Sequence, residues 1–230
     1  MTRGSLLVIF PYLQRQTTMS LATPQELKTG FPLTWEYLVA NKGLLDQRED
    51  GTLRGAYWFT YSRNQALDVV SLPKIFTPDI APRGSFSLDE IGDIFFTGGV
   101  AGGYGLLAAP PYSPKFLLGL LNSRLLDWML KRIATSMRGG YYSFESRFIR
   151  DLPIRPIDFT NPADKTMHDE MVRLVEQMLV LHRQLATAGT DREKSGLQLQ
   201  IAALDRAIDS LVFRLYDISP DEVRSILSLP

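Results

Sequence analysis

Residues 161–216 read NPADKTMHDEMVRLVEQMLVLHRQLATAGTDREKSGLQLQIAALDRAIDSLVFRLY. Within them Met167, Met171, Leu174, Met178, Leu181 and Leu185 step by four and three, the spacing that lines one side of a helix with apolar side chains. Asn161-Pro162 marks the start: a capping side chain, then a proline at the first helical position, where its missing N–H has no partner to lose. After the polar stretch Thr187 to Gly196, the same spacing returns at Leu197, Ile201, Leu204, Ile208, Leu211 and Leu215. Two stripes of equal length zip together antiparallel, which predicts a helical hairpin. Ser219-Pro220-Asp221-Glu222 is a capping box that opens a short terminal helix.

Upstream the texture changes. Gly and Pro recur at short intervals, with β-rich runs between them at Ala56–Tyr61, Lys74–Thr77 and Asp93–Thr97, all expected as short strands. The apolar run Ser5–Phe10 stops at Pro11, far short of the roughly 20 residues of a membrane helix, and is expected as a buried strand. Ser113-Pro114 repeats the cap-plus-proline signal, and Phe116 to Ile133 carries a helical pattern broken near Asn122-Ser123, giving two helices or one kinked helix. The expected fold is α+β: a small, irregular, mainly antiparallel sheet flanked by helices over residues 1–156, then an antiparallel helical hairpin with a short terminal helix over 157–230.

Composition narrows the function. The 230 residues contain no cysteine, which removes disulfides, thiolate zinc sites and cysteine nucleophiles and makes the cytoplasm the expected compartment. Lys plus Arg and Asp plus Glu stand at 25 each, a balance that by itself speaks against a globally basic nucleic-acid binder. The balance is uneven along the chain: residues 131–155 hold Lys131, Arg132, Arg138, Arg147, Arg150 and Arg155 against Glu145 and Asp151, whereas acids predominate after 160. His168 and His182 are too far apart on one helix to share an ion and are expected at its surface or flank, so no metal site is anticipated.

The string Ser136-Met137-Arg138-Gly139-Gly140-Tyr141-Tyr142-Ser143-Phe144-Glu145, followed by Arg147, sits in the basic stretch. Two glycines let a backbone approach a partner closely, tyrosines offer flat faces and hydroxyls, and an arginine grips a phosphate or donates two bonds to guanine O6 and N7. The same composition also describes a plain glycine turn with tyrosines packed inward and solvated arginines. Arg63 and Lys74 are candidates for a second phosphate-facing surface, with Trp58 as its floor or as core. Two further strings mislead. Gly98–Gly105 lacks the spacing and the lysine of a phosphate loop and is expected as a glycine-rich hairpin. Ala109-Pro110-Pro111-Tyr112 has alanine where a hydrogen-bond acceptor would be needed and reads as a turn.

Taken in order, four blocks carry a resemblance. They are Leu7–Tyr12 with Tyr37-Leu38 and Leu44–Arg48; Trp58, Arg63 and Gln65 leading to Pro73–Ile80 and Phe86–Asp89; Leu117–Ser123 with Arg138–Glu145 through Leu152-Pro153-Ile154; and Ile208–Tyr216 with Ser219–Glu222. In this arrangement the chain is similar to the TaqI-like C-terminal specificity domain of type II restriction-modification adenine methyltransferases. The resemblance implies sequence-specific binding of double-stranded DNA, and the residues expected to carry it are Arg138, Gly139, Gly140, Tyr141, Tyr142, Lys131, Arg132, Arg147, Arg63 and Lys74. It implies no catalysis in this chain. A separate catalytic domain of the same parent would bind S-adenosylmethionine and methylate a flipped adenine. The alternative is a protein-interaction scaffold in which the hairpin self-associates, and no membrane partner is expected.

Overall fold

The computed structural model describes residues 8–16, 18–96 and 102–228. The chain forms two compact units, residues 1–71 and 72–230. In the first, β1 (Tyr12–Arg15) and β2 (Thr18–Leu21) form an antiparallel hairpin with Tyr12 opposite Leu21. Thr23 then caps α1 (Pro24–Gly30), its hydroxyl accepting from the Glu26 N–H at 3.2 Å while the Glu26 carboxylate accepts from the Thr23 N–H at 2.7 Å. The Thr23 N–H and the Arg15 guanidinium at 2.6 Å hold the Glu26 carboxyl at about 2. Helices α2 (Pro32–Ala40) and α3 (Lys42–Leu45) follow. Ala22, Leu27, Leu38, Trp58 and Phe59 form the small core, with the Trp58 and Phe59 rings edge to face at 5.6 Å.

Two expected strands are absent from this unit. Of Ser5–Phe10, residues 5–7 lie outside the described residues; 8–10 belong to no strand, Val8 is 80% exposed, and pairing begins only after Pro11, whose carbonyl accepts from Ala22. Ala56–Tyr61 forms turns because Arg48 donates to the carbonyls of Trp58 (2.8 Å) and Thr60 (3.0 Å), which are therefore not offered to a strand ladder.

The second unit is built on two three-stranded antiparallel sheets. In one, β3 (Lys74–Pro78) lies between β5 (Ser87–Asp89) and β6 (Gly103–Leu106), with Ile75 opposite both Leu88 and Leu106. In the other, β8 (Tyr141–Ser143) lies between β4 (Ile80–Ala81) and β7 (Ser136–Met137). Asp93–Phe96 is not a strand: the Asp89 carboxylate accepts from the N–H groups of Gly92, Asp93 and Ile94 at 2.8, 3.2 and 3.0 Å and turns them away from any ladder. Thr97 and the first part of the expected glycine hairpin, 98–101, lie outside the described residues; its remainder enters β6 and pairs with β3.

Ser113 caps α4 (Pro114–Asn122), and Ser123 caps α5 (Arg124–Ile133), so the expected break yields two helices. After α6 (Ser146–Ile149), α7 (Pro162–Thr187) and α8 (Asp191–Leu215) form the antiparallel hairpin, followed by α9 (Pro220–Leu227) with the expected capping box. The half of the hairpin near the sheets is buried through Met171, Leu174, Ile208, Leu211 and Leu215; the far half leaves Leu181, Leu185, Leu197, Ile201 and Leu204 partly exposed. Helix α7 approaches α4 so closely that a Cβ on Gly119 would lie 2.4 Å from the Met171 sulfur. One continuous core runs from Ile75 through Phe116 and Leu126 to Leu211, joining residues on both sides of 156/157.

Candidate nucleic-acid interface

The string singled out between residues 136 and 145 is a β-hairpin at the molecular surface. Met137 pairs with Tyr141 and Ser136 with Tyr142, leaving Arg138, Gly139 and Gly140 as the turn. Gly139 and Gly140 have φ of +81° and +78°, the left-handed region where a side chain is strained, and this is the physical reason for two glycines here. Arg138 is exposed, Tyr141 is 44% exposed, and Tyr142 is half-buried. The base of the hairpin is anchored in the core: Phe144 is completely buried, its ring edge to face with Phe86 at 5.9 Å, and its N–H donates to the Asp79 carbonyl. A core anchor directly below a bare turn presents the turn at a fixed height.

Helix α5 brings further cations to the same face. The Lys131 ammonium lies 5.4 Å from the centre of the Tyr142 ring, and the Arg132 guanidinium covers the Trp128 ring at 3.9 Å. Lys131 also pairs with Asp127 at 2.9 Å, one turn earlier. Just after the hairpin Arg147 pairs with Glu145 at 2.8 Å and lies over Phe148 at 4.7 Å. A groove of about 1160 Å³ lies between α4, α5 and the α7–α8 hairpin, with Arg83, Lys131, Arg132 and Tyr142 at one wall and Asp127, Asp205 and Asp209 also in its lining.

Arg83 is a residue that sequence reasoning missed. Its place depends on long-range pairing: Ala81 lies opposite Tyr142, and the Gly84 N–H donates to the Asp127 carboxylate at 2.7 Å. The only local signal was an exposed arginine in a Pro-Arg-Gly turn. Arg83, Arg132 and Arg138 have no ion pair among the described residues, so they give the face its net positive character.

The remaining candidates part company. Lys74, expected to face phosphate, is 4% exposed and donates to the 2%-exposed Asp89 at 2.6 Å. Burial alone would raise the Asp89 carboxyl, but Lys74 and the N–H groups of Ile94 and Gly92 outweigh it and hold it at about 2. Lys74 thus neutralises an internal charge and cannot reach a phosphate. Arg63 is exposed in the first unit. Trp58, left open between floor and core, is core.

Two other expectations are resolved by contacts. His168 is not a surface residue: it is 6% exposed, its ring 4.8 Å from Phe116 and 5.1 Å from Phe159, with Nε2 accepting from the Ser113 N–H. Ala109–Tyr112 is a turn closed by the Tyr112 N–H on the Ala109 carbonyl, and the Tyr112 hydroxyl accepts from the Ile157 N–H at 3.2 Å. Asp79, 5% exposed beneath the hairpin, has one carboxylate oxygen without a hydrogen-bond partner; burial, and then the nearby Glu145 charge, push its carboxyl above the ordinary range. Among the described residues no helix is long and apolar enough to cross a membrane, and no cluster of three or more His, Cys, Asp or Glu is placed to hold a metal ion.

Comparison with known proteins places this geometry in a family. Over 220 residues the chain is 26% identical to the type II restriction enzyme and methyltransferase RM.Eco57I of Escherichia coli, an alignment that covers 92% of the chain and 22% of that relative. The chain thus spans about a fifth of the length of this relative. The model of the TaqI-like C-terminal specificity domain matches residues 29–154, more than half of the chain and including the exposed hairpin. The chain belongs to the TaqI-like C-terminal specificity domain family.

Proposed function

We propose that this chain reads a target sequence in double-stranded DNA on behalf of an adenine-N6 methyltransferase of a restriction-modification system. The observation that carries the reading is the exposed Arg138-Gly139-Gly140-Tyr141 turn, fixed from below by Phe144, with Arg83, Lys131 and Arg132 lining a groove with Tyr142 and with Arg147 exposed just after the hairpin. A bare-backbone turn with an arginine at its tip suits a groove, while neighbouring cations suit the phosphate backbone that bounds it. Arg138 and Tyr141 meet base edges or sugar; Gly139 and Gly140 allow close approach; Lys131, Arg132, Arg147 and Arg83 meet phosphate. Arg63 of the first unit is a separate phosphate candidate.

Transfer of the methyl group is assigned to a catalytic domain of the same parent, working in the cytoplasm with S-adenosylmethionine. This chain offers no fit for that chemistry: in the string nearest to a methyltransferase motif, Ala109 has no acceptor side chain and the Tyr112 hydroxyl is engaged with Ile157. Titration of a labelled duplex with the chain at rising salt tests the proposal, since binding through phosphates weakens linearly in log–log form.

A second reading, an interaction arm, is favoured by the far half of the hairpin, where Val180 is 45% and Leu199 73% exposed beside the half-covered seam. Sedimentation that shows mass rising with concentration, abolished by Val180→Glu with Leu199→Glu, supports it. A monomer at all concentrations removes it.

A further inference from the structure

The cations of this face are of two kinds. Arg83, Arg132 and Arg138 have no carboxylate partner among the described residues, whereas Lys131 and Arg147 are each held by one, Asp127 at 2.9 Å and Glu145 at 2.8 Å. Each of those carboxylates is itself held in place. The Asp127 side chain accepts from the Gly84 N–H at 2.7 Å, and the Glu145 side chain from the Ser143 hydroxyl at 3.1 Å. Glu145 is the residue that precedes α6, yet its side chain makes no capping bond and turns to Arg147 instead. The pair is open to water, with 58% of the Arg147 side chain and 34% of that of Glu145 exposed, and the guanidinium rests on the Phe148 ring.

We propose that Glu145 is a positioning residue that withholds Arg147 from loosely bound DNA and releases it to a phosphate only when the hairpin is seated in its target. The proposal rests on the DNA reading above. A carboxylate oxygen and a phosphate oxygen compete for the same guanidinium N–H groups, so Arg147 reaches DNA only by exchanging one anion for the other. In a loose, sequence-independent encounter the unpaired arginines meet phosphates and the Arg147–Glu145 pair stays closed. On the target, contacts from the turn draw the duplex close enough for the exchange. An exposed pair is weak enough to open, and strong enough to bias a contact that is itself weak. The carboxylate thereby widens the gap between target and random sequence, a specificity gained by penalising the wrong complex.

Glu145→Gln tests this by removing the charge, so that the side-chain oxygen that accepts from both Ser143 and Arg147 becomes a neutral amide oxygen with a weaker hold on the guanidinium. Two probes are used with the full chain: a random-sequence 20-base-pair duplex pool, and a duplex enriched by the chain from a random library. The expected result is tighter binding of Glu145→Gln to the random pool by about fivefold, the upper factor for an exposed ion pair. The salt slope on the random pool steepens by about one while that on the enriched duplex stays unchanged. In an Arg147→Ala background, Glu145→Gln then has no effect on either probe. Unchanged or weakened binding to the random pool, or an effect that persists without Arg147, overturns the proposal while leaving the DNA reading in place. Failure of the unsubstituted chain to bind any duplex overturns both, and is seen before any variant is made.

Discussion

Replacing Lys74 with methionine separates an internal ion pair from a DNA contact. The Lys74 ammonium lies 2.6 Å from the Asp89 carboxylate, and the two side chains are 4% and 1% exposed. Methionine keeps most of the side chain's length and deletes the charge, leaving a carboxylate in the interior. Removing one partner of a buried pair costs about 3–5 kcal/mol. Here the carboxylate keeps its bonds from Gly92, Asp93 and Ile94, so the lower end, about 3 kcal/mol, is expected. The sign with pH follows from the direction of the shift. Asp89 is held at about 2, below its ordinary 3.8, so the stabilisation is fully present above 3.8 and is lost as pH falls through about 2. In Lys74→Met that carboxyl rises and takes up a proton sooner, so the deficit against the unsubstituted protein is largest at neutral pH and shrinks in acid. Urea denaturation followed by circular dichroism at neutral and mildly acidic pH measures it, and Lys74→Met with Asp89→Asn recovers most of the loss. A variant as stable as the parent at neutral pH but deficient in duplex binding would refute the reasoning and return Lys74 to the surface.

Gly139→Ala forces a side chain into φ near +81° and is expected to cost about 1 kcal/mol or more in stability, with a larger proportional loss of duplex affinity because the turn reshapes; equal affinity would disconnect the turn from binding. Asp79→Asn removes a buried charge with an unpartnered oxygen. Because the Asp79 carboxyl is raised above its ordinary 3.8, ionising it destabilises the fold as pH climbs from there through the raised value. The variant should therefore melt higher than the parent at pH 8, by about 1 kcal/mol, and equally at pH 4. A melting temperature below the parent's at pH 8 would contradict the placement of that carboxylate.

What was legible in the sequence was local. The Ser113, Asn161 and Ser219 caps and the stripe from Met167 to Leu215 each report on a few neighbouring residues, and α4, α7 and α9 begin where those caps fall, whereas α8 begins at Asp191, inside the polar stretch read as the connection. Thr23-Pro24-Gln25-Glu26 is the same capping signal as Ser219–Glu222 and marks α1, but no apolar stripe follows it to extend the signal into a helix reading. Helix α2 carries Leu33, Trp35, Tyr37, Leu38 and Val39 around its circumference and shows no stripe to detect. The misread strands fail for a common reason: at 56–61 and 93–96 a distant or flanking charged side chain, Arg48 or Asp89, takes the backbone groups that a ladder would use. The site divides in the same way. Arg138, the glycines and the tyrosines were visible as a string, while Arg83 reaches the face through strand pairing, and the burial of Lys74 depends on a partner fifteen residues away.

The most direct measurement is the salt dependence of duplex binding by the full chain beside Arg138→Ala. The account predicts a straight decline of log affinity with log salt for the parent, and for the variant a slope shallower by about one if the guanidinium meets phosphate, or an unchanged slope with about 1–3 kcal/mol lost only on the enriched duplex if it meets a base. Identical curves for the two proteins, or no duplex bound at low salt, would contradict it.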